Sequence, residues 1–497
     1  MADEQILKNE KGALAVWLDR IIFGCILLTA LAAPISIAVT NIGWITGLLF
    51  WLIRAFFRPR PAFLRTPLDF ALVAFWGWCL LSCFFSYAPD LSFDRWRVLT
   101  LFPIAYLIVN NVHTVKAVKW LAGALIFAAM VTVGWTFLER GIGRGVEVFG
   151  VKPNSALALA GVQDGDTLLK INGQRFWQPE DLVEALKQNE SVKLNLYRPD
   201  YEVNIEMPGV NSPSGASLSA DDFLGFERWQ RGRNWRAAGF YDHYATYAEV
   251  LQLIISLVFG LFIAVPNKKS RLGAVLIFCL ATMALALLLT ATRASQVGFV
   301  LSALSIVSLG ANRRVFLTIL ACFLPLAVIA AIYVQQSRKT GFVDSTDNST
   351  TWRLTVWREG VELLFKSPRH LAVGVGIDSI KRYRCEWGLF ANCTLPPGHF
   401  HSTLLQIAVE CGLPALFLWL LAVFCYGKTL LTALRQKEDE WFTKGVLLGA
   451  FGGLVGFFAS GMVHYNLGTS LVAMVFFFMM GLSLVLARIA KSGSAKK

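Results

Sequence analysis

The sequence predicts an all-α polytopic membrane protein of about twelve transmembrane helices, with one small α+β module inserted between the fifth and the sixth. Three observations predict it. Hydrophobic residues fill 55% of the 497 positions and charged residues only 16%, too oily a balance for an ordinary soluble domain. Apolar runs long enough to cross a hydrocarbon layer recur along the chain. Between 141 and 209 the texture changes abruptly to short alternating runs punctuated by glycine.

The apolar runs lie near 15–36, 40–57, 68–86, 97–112, 117–138, 243–265, 272–291, 294–310, 313–334, 402–427, 443–463 and 468–489. Asp3, Glu4 and Glu10 lead into the first, its apolar run is long, and eleven further spans follow, so it is expected as a retained helix. With the amino terminus cytoplasmic, the inner loops hold "RAFFRPRPAFLR", "HTVKAVK", "NKKSR", "NRR" and "GKTLLTALRQKEDEWFTK". The tail "ARIAKSGSAKK" joins them, a consistent Lys/Arg excess in short loops. Both termini are then expected inside. The net charge of +13 follows from that asymmetry and from anionic lipid, with no nucleic-acid partner implied.

This topology divides the chain into helices over 1–140, a soluble module over 141–209 and a linker with an interfacial segment over 210–242. Helices follow over 243–334, then an outer loop over 335–401, and further helices with the tail over 402–497. The outer face receives 87–96, the insertion 139–242, the turn "TATRAS" at 290–295, the loop 335–401 and "HYNLG" at 464–468. Six cysteines (Cys25, Cys79, Cys83, Cys279, Cys322, Cys425) lie inside spans and read as small buried hydrophobes. Cys385 and Cys393 flank "EWGLFAN" in an outer loop, where an oxidising compartment permits a disulfide. No C-x-x-C or H-E-x-x-H spacing occurs, so no metal is expected.

The module reads as strands at Val146 to Val151, Thr167 to Ile171, Val192 to Tyr197 and Glu202 to Glu206, with helices at Ala156 to Ala160 and Pro179 to Lys187. "INGQ" supplies Asn-Gly turn chemistry, and Pro179-Glu180-Asp181 suits a first helical turn. "VKPNSALALAGVQDGDTLLKINGQ" resembles the core of bacterial PDZ domains. That resemblance implies a peptide adding a strand beside Val146 to Val151, with Gly145, Val146 and Val148 at the groove and "GIGRG" as the carboxylate-holding loop. A degenerate module that only braces the outer surface is the alternative. "VNSPSGASLSADD" follows as a linker, and "FERWQRGRNWRAAGF" suits an interface.

Four outer stretches carry chemistry. Arg236 lies in "RAAGF", just ahead of span six. Arg293 lies in "LLTATRAS" between spans seven and eight with almost no loop, and a charge held there requires an anionic partner. Arg353 and Trp357 share one face of an expected amphipathic helix, followed by the "GVG" turn. His399 and His401 in "GHFHSTLLQIAVECGLPAL" precede Gln406 and Glu410 at the brink of a span. Arginine forks match phosphate oxygens, and a near-neutral imidazole accepts a hydroxyl proton. His243 and His464 also face outward and read as satisfied interfacial histidines.

The order of these motifs resembles the O-antigen ligase and O-antigen polymerase superfamily over about 220 to 485. The resemblance implies a GT-C-like helix layout in a bacterial inner membrane. It implies that His401 deprotonates the acceptor sugar, that Arg293 and Arg353 engage the donor diphosphate, with Arg236 a weaker match, and that His399 acts in support. Glu410 is expected either to orient the site or simply to be paired, and Trp357 to support it. Family members commonly carry Asn after the histidine, where this chain has Ser402. The implied partners are an undecaprenyl diphosphate-linked glycan, a lipid A core or other glycan acceptor, and membrane lipid, with no cofactor. A polymerase of repeat units, a protein O-oligosaccharyltransferase and a non-enzymatic peptide-binding scaffold share the same features and stay open. No internal repeat or broken span pair favours a transporter.

Overall fold

The computed structural model describes residues 12–99, 101–198, 201–209, 219–312, 317, 348–396, 398–436 and 440–494. The chain divides into two compact units, one formed by Met1–Val133 with Ala238–Lys497, the other by Gly134–Ala237. In chain order the elements begin with α1 (Ala13–Ala32), α2 (Ile37–Arg54), α3 (Asp69–Phe84), α4 (Pro89–Leu99), α5 (Pro103–Asn111) and α6 (Val115–Ile142). The second unit carries β1 (Val146–Phe149), α7 (Ala156–Leu159), β2 (Thr167–Ile171), β3 (Gln174–Arg175), α8 (Pro179–Gln188), β4 (Ser191–Arg198), β5 (Tyr201–Pro208), α9 (Ala220–Leu224) and β6 (Arg228–Arg231). The chain continues with α10 (Tyr244–Ala264), α11 (Arg271–Leu289), α12 (Arg293–Gly310), α13 (Asn348–Phe365), α14 (Pro368–Val373) and α15 (Ser379–Tyr383). It ends with α16 (Thr403–Leu434), α17 (Trp441–Gly461) and α18 (Ser470–Ser494).

Among the described residues nine helices are long and apolar enough to cross a membrane: α1, α2, α6, α10, α11, α12, α16, α17 and α18. The run at 97–112 departs from expectation. It holds the end of α4 and then α5, nine residues beginning at Pro103, which at ~1.5 Å per residue reaches under half the hydrocarbon thickness. The span expected at 313–334 falls largely outside the described residues. Ile42, Leu49 and Leu52 on α2 and Phe417 and Phe424 on α16 stand exposed, an apolar surface that a bilayer covers.

Glycines set the packing of α17. A Cβ on Gly449 would sit 2.6 Å from the Cα of Leu257, and one on Gly452 2.7 Å from the hydroxyl of Ser302. Only a bare backbone lets α10 and α12 approach this closely. The pairings run antiparallel: Gly298 meets Gly456 while Gly310 meets Leu448. The start of α12 therefore lies at the same end of the bundle as the finish of α17.

In the second unit the sheet order is β5-β4-β2-β1-β6, with β3 paired to β2. Asn172 and Gly173 both take positive φ, as the tight hairpin between β2 and β3 requires. Val146, Val148, Leu168, Leu182, Leu194 and Leu196 form its core. Asp181 accepts from the backbone N–H groups of Trp177 and Gln178 at the start of α8, the cap that Pro179-Glu180-Asp181 announces. One expectation is corrected here. Beside Val146 and Val148, where an open edge was expected to receive a peptide, β6 pairs with β1 from Val146↔Arg231 to Phe149↔Arg228. The side chains of Val146 and Val148 are fully buried, so the outer edge of the sheet on that side belongs to β6. A four-residue strand rich in arginine lacks the apolar alternation that marks strands in sequence.

Candidate active site

The histidine turn is held from several directions. Ser402 caps α16, its hydroxyl accepting from Leu405 N–H, so the residue before it must leave helical geometry. His401 does so at φ +46°, a left-handed conformation that costs a non-glycine residue ~1–3 kcal/mol unless its surroundings impose it. They do: the Phe400 N–H donates to Gln406 Oε1 at 2.8 Å, and the Phe400 carbonyl accepts from the Trp357 indole at 2.7 Å. Phe400 itself is wholly buried. The His401 N–H donates to His399 Nδ1 at 3.1 Å, which assigns the His399 proton to Nε2.

The two imidazoles lie 4.2 Å apart between centroids, and the Trp352 ring stands edge-on to His401 at 4.9 Å. Burial pushes the His401 pKa down to about 2, with His399, His464, Arg353 and His243 opposing a proton further. Burial and the same histidine neighbours bring His399 down to about 4. Both rings are thus neutral at ordinary pH. His401 Nδ1 is buried and has no hydrogen-bond partner, whereas buried polar atoms are ordinarily satisfied.

A third histidine joins them. His464, in the turn after α17, pairs through Nδ1 with the Glu249 carboxylate of α10 at 3.0 Å, and its ring lies 6.1 Å from His401. Its carbonyl accepts from the N–H and hydroxyl of Thr403 at 3.0 and 3.1 Å, tying that turn to the start of α16. His464 is satisfied, as expected, but by a carboxylate and beside the key histidine. Because α12 and α17 run antiparallel, Arg293 lies at this same end of the bundle.

Glu410 sits where α16 breaks. Gly412 adopts φ +85° and ψ 168° ahead of Pro414, which releases carbonyls from the helical ladder. The released groups are taken up: Val409 O accepts from Val375 N–H and Glu410 O from Gly376 N–H, both at 2.9 Å, and Ser82 donates to Glu410 O at 2.9 Å. The "GVG" turn therefore docks against the break. A Cβ on Gly374 would strike the Glu410 carbonyl, and one on Gly412 the Ala372 carbonyl. The Glu410 side chain accepts from Asp378 N–H at 2.8 Å and lies one helical turn after Gln406, whose oxygen holds Phe400.

Arg353 and Trp357 lie one turn apart on α13, as expected, with Arg353 half-buried and close enough to repel a proton from His401. Arg293 is half-buried at the start of α12. Arg236 is half-buried in the second unit, one residue from its end. Cys385 and Cys393 are joined by a disulfide. It closes a turn in which Phe390, Ala391 and Asn392 are all left-handed, and the Glu359 carboxylate accepts from Phe390 and Ala391 N–H at 2.7 and 3.0 Å.

Residues 278–420, which span Arg293, Arg353, both histidines and the break in α16, match the family model described as O-antigen ligase. That match covers under a third of the chain. Residues 147–198 match a PDZ domain, in agreement with the sheet of the second unit. The ligase match lies within a chain that carries several helices long and apolar enough to cross a membrane. Among curated proteins the chain is similar to the magnetosome formation protease MamE of Magnetospirillum gryphiswaldense, 37% identical over 80 residues. These are 16% of this chain and 10% of that protein. The MamE of Paramagnetospirillum magneticum is likewise 37% identical over 82 residues, 16% of this chain and 11% of that protein. The chain thus spans about a tenth of the length of these relatives.

Sequence reading did not find Trp352, Glu249 or Asp378. Glu249 carried a signal, since a carboxylate in an otherwise apolar span is a functional flag. Trp352 and Asp378 carried none, because their role depends on how α13 and the loop after the "GVG" turn fold back onto α16.

Proposed function

We propose that the chain transfers a glycan from undecaprenyl diphosphate to a sugar hydroxyl, such as one on lipid A core, at the periplasmic face of a bacterial inner membrane and without a metal. The observation that carries this reading is the buried, unpartnered Nδ1 of His401, held on a strained turn beside Arg353 within the ligase match. A neutral imidazole nitrogen in that setting is a proton acceptor awaiting a donor.

In the proposed step the acceptor O–H gives its proton to His401 Nδ1 while its oxygen attacks the anomeric carbon. The bond from that carbon to the diphosphate oxygen breaks, and the electron pair leaves with the lipid diphosphate. Arg293 and Arg353 hold the departing charge, an interaction strengthened where water is excluded. A single displacement inverts the anomeric centre. An imidazole this reluctant to be protonated is a poor base alone. A diphosphate anion beside it reverses the local field and raises its proton affinity, so the base gains strength only once the donor is bound.

The test is reconstitution of the full chain in nanodiscs with an undecaprenyl diphosphate-linked glycan and lipid A core. The reading expects elongated acceptor and stoichiometric undecaprenyl diphosphate. Extension of the carrier-linked glycan itself would make the chain a polymerase, and glycan appearing on added periplasmic protein a protein oligosaccharyltransferase. Absence of donor turnover with every acceptor would overturn the reading.

A further inference from the structure

Beside the histidine turn lies a cavity of about 390 Å³, walled by Arg95, Asp378, Lys381, His399, Glu410 and Tyr465 among others. We infer that this cavity is the acceptor-sugar subsite, taking a neutral hydroxyl-rich pyranose; the inference rests on the glycosyl-transfer reading above.

Its chemistry is mixed. Asp378 is shared between Lys381 at 2.7 Å and Arg95 at 3.6 Å, while Glu410 contributes a carboxyl group already bound to Asp378 N–H. Carboxylate oxygens beside ammonium and guanidinium donors oppose any ligand of a single charge. A sugar hydroxyl both donates and accepts, so one ring satisfies both kinds of group at once, and the ring of Tyr465 offers an apolar face for its C–H bonds. The volume lies in the ~300–1,000 Å³ range of small-molecule sites.

The described lining contains His399 but not His401, Arg293 or Arg353, so the cavity opens onto the histidine turn through His399. Residues 399 and 401 alternate across the turn with Phe400 driven into the core between them, and only ~4 Å separates their rings, within reach of a single bound hydroxyl-bearing ring. Gln406 belongs both to the cavity wall and to the bond that holds Phe400. Occupation of the cavity is thereby coupled to the turn that carries His401.

The experiment reads binding apart from catalysis. Saturation-transfer NMR of the full chain in nanodiscs, with methyl glycosides of glucose, galactose and heptose as probes, should show transfer to at least one pyranoside. Ser470→Trp, which fills the cavity from its wall, should reduce that signal at least fivefold, and Lys381→Met at least twofold. His401→Ala should retain it. In the reconstituted assay Lys381→Met should raise the acceptor KM about tenfold and leave the donor KM within twofold. A shift in donor KM alone would assign the cavity to the donor sugar and overturn the inference. So would pyranoside signals equal in wild type and both variants, or absent from wild type. Binding that follows the expected pattern in a protein without transfer activity would instead count against the proposed function and leave the subsite standing.

Discussion

The indole of Trp357 donates to the carbonyl of Phe400 at 2.7 Å, so a residue on α13 fixes the backbone immediately before His401. Trp357→Phe keeps an aromatic ring of smaller size and removes the bond. The expected stability loss is about 1 kcal/mol. Transfer should slow far more, by about 10- to 100-fold, because a base displaced by ~1 Å loses its alignment. Thermal unfolding and turnover measured on the same preparation check the split.

The pair Glu249–His464 predicts an asymmetry. Removing the imidazole strands a buried carboxylate, which costs about 3–5 kcal/mol. Replacing the carboxylate with an amide leaves a neutral acceptor for the same N–H, at a cost of about 1 kcal/mol. Denaturation in detergent should therefore find His464→Ala much less stable than Glu249→Gln. Equal losses would contradict the pairing.

His399 and His401 make the fold acid-sensitive. Both have folded-state pKa values below the ordinary 6.5, at about 4 and about 2, so the unfolded chain binds protons that the folded chain refuses. Their contribution is complete above pH ~6.5 and declines as pH falls toward 4, by about 1.4 kcal/mol per pH unit for each ring at the limit. The slope of unfolding midpoint against pH between 6.5 and 4 should be shallower in His399→Gln than in wild type.

Gly412 and Gly374 have no room for a side chain. Each takes positive φ and faces a carbonyl across the break in α16. Gly412→Ala should lower stability by more than about 2 kcal/mol and abolish transfer, whereas alanine at Gly123, where no atom lies within 4 Å, should change neither. Expression level and melting temperature of the two variants decide this.

Much of the fold was legible in sequence because membrane spans announce themselves by composition alone. The strands β2, β4 and β5 and the Asn172-Gly173 turn were equally plain, since alternation and turn chemistry are local. β6 was hidden: Arg228–Arg231 is a strand only because β1 offers it a ladder, and no local pattern marks it. α5 was overextended because apolar residues continue across Pro103 while the helix does not. At the site, His399, His401, Arg353 and Trp357 share motifs with recognisable spacing and were found. Glu249 reaches the same place from a distant helix, while Trp352 and Asp378 lie beside the motifs of Arg353 and the "GVG" turn but make contacts that spacing along one chain does not record.

The central claim is that His401 takes the acceptor proton, and single-turnover transfer at saturating donor and acceptor tests it most directly. His401→Ala should lower that rate by about 10²- to 10⁴-fold, the range a general base contributes, while donor binding stays within twofold of wild type. A variant that transfers glycan within threefold of the wild-type rate would contradict the account.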